Sequence, residues 1–161
     1  MGVSKQAAQK RFRAKGHAED LEPLDPGQGF ARFTVETRNA ILAAHDAARA
    51  RGEATVTAAR VALALADTPL LTGFGVGAER LGDALAPALP APGDAPLEVV
   101  PYDESAREAL KAAFGEAIRL GADMVEPRHV LLGLLQVDGL GDRLAQLGLT
   151  AERVQATRRR S

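Results

Sequence analysis

No cysteine occurs among the 161 residues. The chain therefore has no disulfide framework, no thiolate metal ligand and no cysteine nucleophile, and nothing in it depends on an oxidising compartment. Tryptophan is also absent, and aromatics make up 4% of the chain against 46% apolar residues. A core of that composition is built from Ala, Leu and Val, which favours closely packed helices. An excess of one charge is missing too: 20 basic residues face 21 acidic ones, net −1. That excludes coating nucleic acid or membrane with the whole surface and confines any such role to a local patch. No apolar run approaches the roughly 18 residues of a membrane-spanning helix, and no apolar stretch follows the basic N-terminus to serve as a secretion signal. A cytoplasmic location is the expectation.

What is present is local segregation. Residues 1–18 hold Lys5, Lys10, Arg11, Arg13 and Lys15 and no acid, after which Glu19, Asp20, Glu22 and Asp25 follow with no base before Arg32. Pro23, Pro26, Gly27 and Gly29 interrupt any helix there, so residues 1–29 read as a basic N-terminal segment and linker. A second break runs through Pro87, Pro90, Pro92, Pro96 and Pro101, which forbid a continuous helix and favour extended backbone. Two bodies remain, about 33–86 and 102–157, with a basic tail at 158–161.

The two bodies repeat one another. Shifting the chain by 69 residues lays 34–67 over 103–136 without a gap. Ten positions then match: Arg38/Arg107, Ala40/Ala109, Ala43/Ala112, Ala44/Ala113, Ala48/Ala117, Gly52/Gly121, Val56/Val125, Val61/Val130, Leu63/Leu132 and Leu65/Leu134. Further on, a shift of 73 pairs Gly75, Ala78, Glu79 and Arg80 with Gly148, Ala151, Glu152 and Arg153, so the second copy has four extra loop residues. The first helix of each copy runs from a cap at Thr34 or Asp103 to a stop at Gly52 or Gly121. Pro127 stands just inside a second helix whose HVLLGLL is apolar on nearly every side, as a central bundle helix requires. Two more short helices, around 139–147 and 150–157, complete the unit. The expected fold is all-α: two pseudo-symmetric four-helix repeats, eight helices in all, joined by a Pro-rich linker.

An Ala-rich amphipathic helix with an Arg and a terminal Gly, a V-x-x-x-H-V-L-L-G-L-L helix and a G-L-x-x-E-R-V helix, given twice, resemble the double-repeat N-terminal domain of Clp/Hsp100 unfoldases, particularly the ClpC type. The resemblance covers about residues 30–157. It implies a docking module for substrates and adaptors. The ATP-hydrolysing rings of that family need a Gly-rich loop followed by Lys and Ser or Thr, and Lys5, Lys10, Lys15 and Lys111 lie in no such setting. A free-standing, non-enzymatic module without AAA+ ATPase modules, which modulates a Clp protease by binding or sequestering adaptors, substrate segments or cyclic-peptide antibiotics, is the function the resemblance implies.

ClpC-type domains bind phosphorylated arginine through a Thr at each repeat start and a Glu in a G-T-E-H motif. Here the motif reads Thr57-Ala58-Ala59-Arg60 in one copy and Glu126-Pro127-Arg128-His129 in the other, and Asp103 replaces the second Thr. Both sites lack the carboxylate partner of the guanidinium, so no phosphoarginine binding is expected. The antibiotic-binding surface of the family, at the seam between repeats, carries over to Phe30, Arg38, Leu42, Tyr102 and Arg107. Two aromatics flanked by two arginines offer an apolar shelf with donors for peptide carbonyls. The alternative is that Phe33 and Tyr102 anchor the core while Arg38 and Arg107 are solvated or capped.

GVSKQAAQKRFRAK (2–15) resembles the turn and recognition helix of a bacterial helix-turn-helix regulator. Ser4 would cap, Ala7 and Ala8 would pack, and Gln6, Lys10, Arg11 and Arg13 would face DNA. The helix that precedes a recognition helix has no counterpart before Gly2, so the stretch reads equally as a disordered basic tail, and Arg158, Arg159 and Arg160 add further charge. A ligand-responsive DNA-binding regulator is the alternative function. Catalysis has little support. His17 is in the tail, His45 takes the position of Phe114 on the apolar stripe, and His129 heads the central helix. No His pair has metal-site spacing, and neither Ser4 nor Ser105 has a His and a carboxylate in a nucleophile pattern. No metal, no cofactor and no membrane partner are implied.

Overall fold

The computed structural model describes residues 29–94 and 98–156. Thr34, in extended conformation, accepts the Thr37 N–H on its hydroxyl at 3.2 Å and so starts α1 (Val35–Ala50). Asp103 does the same for α5 (Glu104–Arg119), accepting from the Ala106 N–H at 2.9 Å. A side-chain acceptor at this position satisfies a backbone donor that the helix itself cannot. Both helices end alike: Gly52 and Gly121 adopt φ of 71° and 75°, and the next residues, Glu53 and Ala122, return their N–H to Ala48 and Ala117 at 2.9 and 2.8 Å. This is a Schellman stop, which needs the left-handed residue that glycine supplies.

The remaining helices are α2 (Ala58–Ala64), α3 (Pro69–Gly73), α4 (Ala78–Leu85), α6 (Pro127–Leu134), α7 (Leu140–Ala145) and α8 (Ala151–Ala156). The eight α-helices of the sequence-based expectation are all present, and no strand occurs among the described residues. Short 3-10 turns cover Gly29–Arg32, Leu65–Asp67 and Ala86–Ala88. The central helices α2 and α6 are buried almost all round, from Ala58 to Ala62 in one and Pro127 to Leu134 in the other.

The repeats exchange their entry segments. Phe33 pairs with Val125 of the other repeat, and Tyr102 pairs with Val56, each as an isolated parallel bridge. The bonds are symmetric under the 69-residue shift. Thr34 N–H donates to the Val125 carbonyl and Val125 N–H to that of Arg32, at 3.2 and 2.7 Å; Asp103 N–H donates to Val56 and Val56 N–H to Pro101, at 3.0 and 2.8 Å. α2 accordingly packs on both α1 and α5, and α6 on both α5 and α1. Phe33, 1% exposed, meets Phe114 of α5 with ring centroids 6.2 Å apart, so one core serves both repeats.

The Pro-rich linker is folded back onto α1. Gly93 N–H donates to the Arg51 carbonyl at 3.0 Å, and Val100 N–H donates to His45 Nε2 at 2.9 Å. His45 is thus a half-buried structural residue, its Nδ1 facing Asp46. At the upper anchor a Cβ on Gly52 would strike the Gly93 carbonyl group. Gly52→Ala is expected to cost about 1–3 kcal/mol from left-handed strain alone and to release the linker. Loss of hydrogen-exchange protection at Gly93, with Val100 still protected, is the readout.

Candidate functional site

On α1, Val35, Arg38, Leu42 and His45 fall at three- and four-residue steps and so line one flank. Two of them are large exposed apolar residues, Val35 at 63% and Leu42 at 49%, and Arg38 between them is exposed. The linker extends this surface: Val99 is 75% exposed next to Val100, whose N–H is held by His45. The chain then passes through Tyr102, half-buried, whose phenol is raised above its ordinary pKa by burial. Near neutral pH that hydroxyl is uncharged and able to donate.

The equivalent flank of α5 has a different character. Glu104, Arg107 and Lys111 replace Val35, Arg38 and Leu42, with Ile118 (42% exposed) further along. Arg107 Nη1 donates to the Tyr102 carbonyl at 3.1 Å. Of the five seam residues expected from sequence, the structure places Arg38 with Leu42, and Tyr102 with Arg107. The exchanged entry segments put α2 and α6 against both α1 and α5. Phe30 lies on the 3-10 turn, with its side chain outside the described residues. Gln6, Lys10, Arg11, Arg13, His17 and Arg158–Arg160 also lie outside them.

The phosphoarginine positions are spent on structure. The Thr34 hydroxyl caps α1 and contacts the Thr37 hydroxyl at 2.7 Å. Ala59 is buried, Asp103 caps α5, and Arg128 Nε donates to Glu126 at 3.1 Å. His129 Nδ1 accepts the Glu126 N–H at 2.9 Å, closing the start of α6.

Sequence reading missed a buried ion pair. Arg60, the counterpart of His129, donates from Nη2 to Glu53 Oε2 at 2.5 Å, and Arg51 Nε approaches the same oxygen at 3.1 Å. The side chains of Glu53 and Arg60 are 1% and 7% exposed. The available signal was an acid seven residues before a lone Arg in the apolar run AARVALA. Among the described residues no cluster of His, Cys, Asp and Glu could hold a metal ion, and no helix is long and apolar enough to cross a membrane.

Comparison with solved structures places the fold. The N-terminal domain of the chaperone ClpD from Arabidopsis thaliana matches with a TM-score of 0.61 and 22% identity, covering 79% of this chain and 94% of that one. The Hsp104 N-terminal domain from Candida albicans matches at 0.63 and 16%, over 76% and 86%. The N-domain of ClpV from Vibrio cholerae matches at 0.59 and 16%, over 94% and 91%. The fold is that of Clp/Hsp100 N-terminal domains. No family model matches the chain. In sequence it is 34% identical over 160 residues to uncharacterised proteins of Mycobacterium tuberculosis and Mycobacterium bovis. The match takes in 97% of this chain and spans 62% of the length of those curated relatives.

Proposed function

We propose that the chain is a cytoplasmic, non-enzymatic binding module that modulates a Clp protease by binding or sequestering ligands of a ClpC-type N-domain: adaptors, substrate segments or cyclic-peptide antibiotics. The observation that supports it most is the Clp N-domain fold carrying an exposed apolar flank, Val35–Arg38–Leu42, whose arginine has no ion-pair partner among the described residues. Peptides with apolar side chains and unsatisfied carbonyls suit such a surface, the methyl groups covering Leu42 and Val99 while Arg38 donates to carbonyl oxygens. Tyr102 and Arg107 extend the proposed site, together with Phe30.

Calorimetric titration with a cyclic peptide of the kind that acts on ClpC-type unfoldases tests this reading. Binding at micromolar concentration or tighter is expected, weakened about tenfold by Arg38→Ala, the loss of one well-placed anchor. No heat at high micromolar peptide would remove the antibiotic version. Phosphoarginine is expected not to bind even at millimolar concentration, because the carboxylates its guanidinium would need are replaced by Ala59 and Arg128.

A further inference from the structure

The two repeats diverge where the first helix of each meets its central helix. In the second repeat Gly133 of α6 faces α5. A Cβ there would collide with the Ala109 carbonyl oxygen and stand 2.8 Å from the Ala113 nitrogen, so the missing side chain lets the two backbones close. Gln136 and Ser105, the counterparts of Asp67 and Glu36, are committed, Gln136 to the Leu132 carbonyl and Glu116, Ser105 to Asp103 and to the Ala58 N–H at the start of α2. In the first repeat the counterpart of Gly133 is Ala64, and α1 packs on α2 much less extensively than α5 does on α6. A groove of about 310 Å³ is open there, floored by Ala40, Ala43 and Ala64 and rimmed by Glu36, Asn39 and Asp67. It lies on the opposite flank of α1 from Arg38 and Leu42. Glu36, Asn39 and Asp67 have no side-chain hydrogen bond or ion pair among the described residues.

A methyl-lined floor between two uncommitted carboxylates and an amide is a receptor for a long basic side chain. The aliphatic stem lies on the methyls and the cation is held by charge-assisted hydrogen bonds. The chain supplies such side chains itself. Of its 21 acids, four (Glu19, Asp20, Glu22, Asp25) lie outside the described body; of its 20 bases, eight do (Lys5, Lys10, Arg11, Arg13, Lys15 and Arg158–Arg160). The body therefore keeps 17 acids against 12 bases, while residues 5–15 carry five bases and no acid. The 13 residues between Lys15 and Gly29 span up to roughly 40 Å when extended, and Glu36 stands in the first turn of α1. We infer that this groove is the docking site of the chain's own basic segment, residues 5–15, with an arginine or lysine seated between Glu36 and Asp67. The segment that resembles a recognition helix is then held by the body, and any polyanion competes with the groove for it.

Because the chain has no cysteine, Ser4→Cys gives a unique site for a nitroxide label on the 161-residue chain. The docked segment is expected to broaden the amide resonances of Asn39, Ala43 and Asp67 by at least half while sparing those of α7. The effect should disappear in Glu36→Gln/Asp67→Asn, whose other resonances stay in place and so report an intact fold. It should also fade at high salt, where exposed charge pairs are screened. Uniform or absent broadening, or equal broadening in the double variant, overturns the inference. Broadening that grows with protein concentration assigns the groove to a second copy's segment and overturns docking within one chain.

Discussion

Glu53→Ala is expected to lower stability by about 3–5 kcal/mol, the cost of leaving a buried charge without its partner. Arg60 is 6% exposed on the central helix of the first repeat and has Glu53 as its buried counter-charge. Removing the carboxylate strands a buried guanidinium. In the second repeat the counterparts of Glu53 and Arg60 are Ala122 and His129, whose Nδ1 caps the start of α6. The double variant Glu53→Ala/Arg60→His copies that solution and should recover most of the loss. Chemical denaturation of the three variants measures it, with the midpoint falling sharply for the single change and returning toward wild type for the double. Equal losses in both would mean that the ion pair is not what holds α2 in place.

Gly133→Ala is expected to cost about 3 kcal/mol, the upper end for overpacking. The obstacle to the new methyl is backbone, the Ala109 carbonyl and the Ala113 amide, which cannot turn aside as a side chain tip would. The gain in helix propensity, at most about 1 kcal/mol, offsets only part of this. α5 and α6 must separate, and thermal unfolding should move down by several degrees. The converse change, Ala64→Gly, removes the methyl from the floor of the first-repeat groove. An unchanged melting temperature in Gly133→Ala would contradict the close approach of α5 and α6.

The duplicated eight-helix plan was legible because the residues that survive the 69-residue shift are those whose chemistry sets element ends and core. Gly52 and Gly121 stop helices, Val56 and Val125 enter the next ones, and Ala40, Ala44, Ala48 and Leu65 face inward with their counterparts. The exchange of Phe33 and Tyr102 between repeats was not legible. Periodicity reports which face of a segment is buried and not which neighbour buries it. The role of Arg60 was missed for a related reason. In the sequence it is only the last residue of the Thr57–Arg60 stretch, and its role appears only when Glu53 is brought beside it by the turn at Gly52. The groove beside α1 depends on one methyl, Ala64 against Gly133, a difference that carries meaning only once the helices are packed. Within the candidate site, Arg38 and Leu42 came from the resemblance, and the structure sets them on one exposed flank of α1. The contributions of Val35 and Val99 needed the exposure that only the folded linker reveals.

The most direct test of the binding account is a crystal structure of the full chain with a cyclic peptide that targets ClpC-type N-domains. The account predicts peptide density along the α1 flank, over Leu42 and Val99, with Arg38 donating to a peptide carbonyl. A well-ordered protein crystallised with excess peptide and showing that flank bare would contradict it.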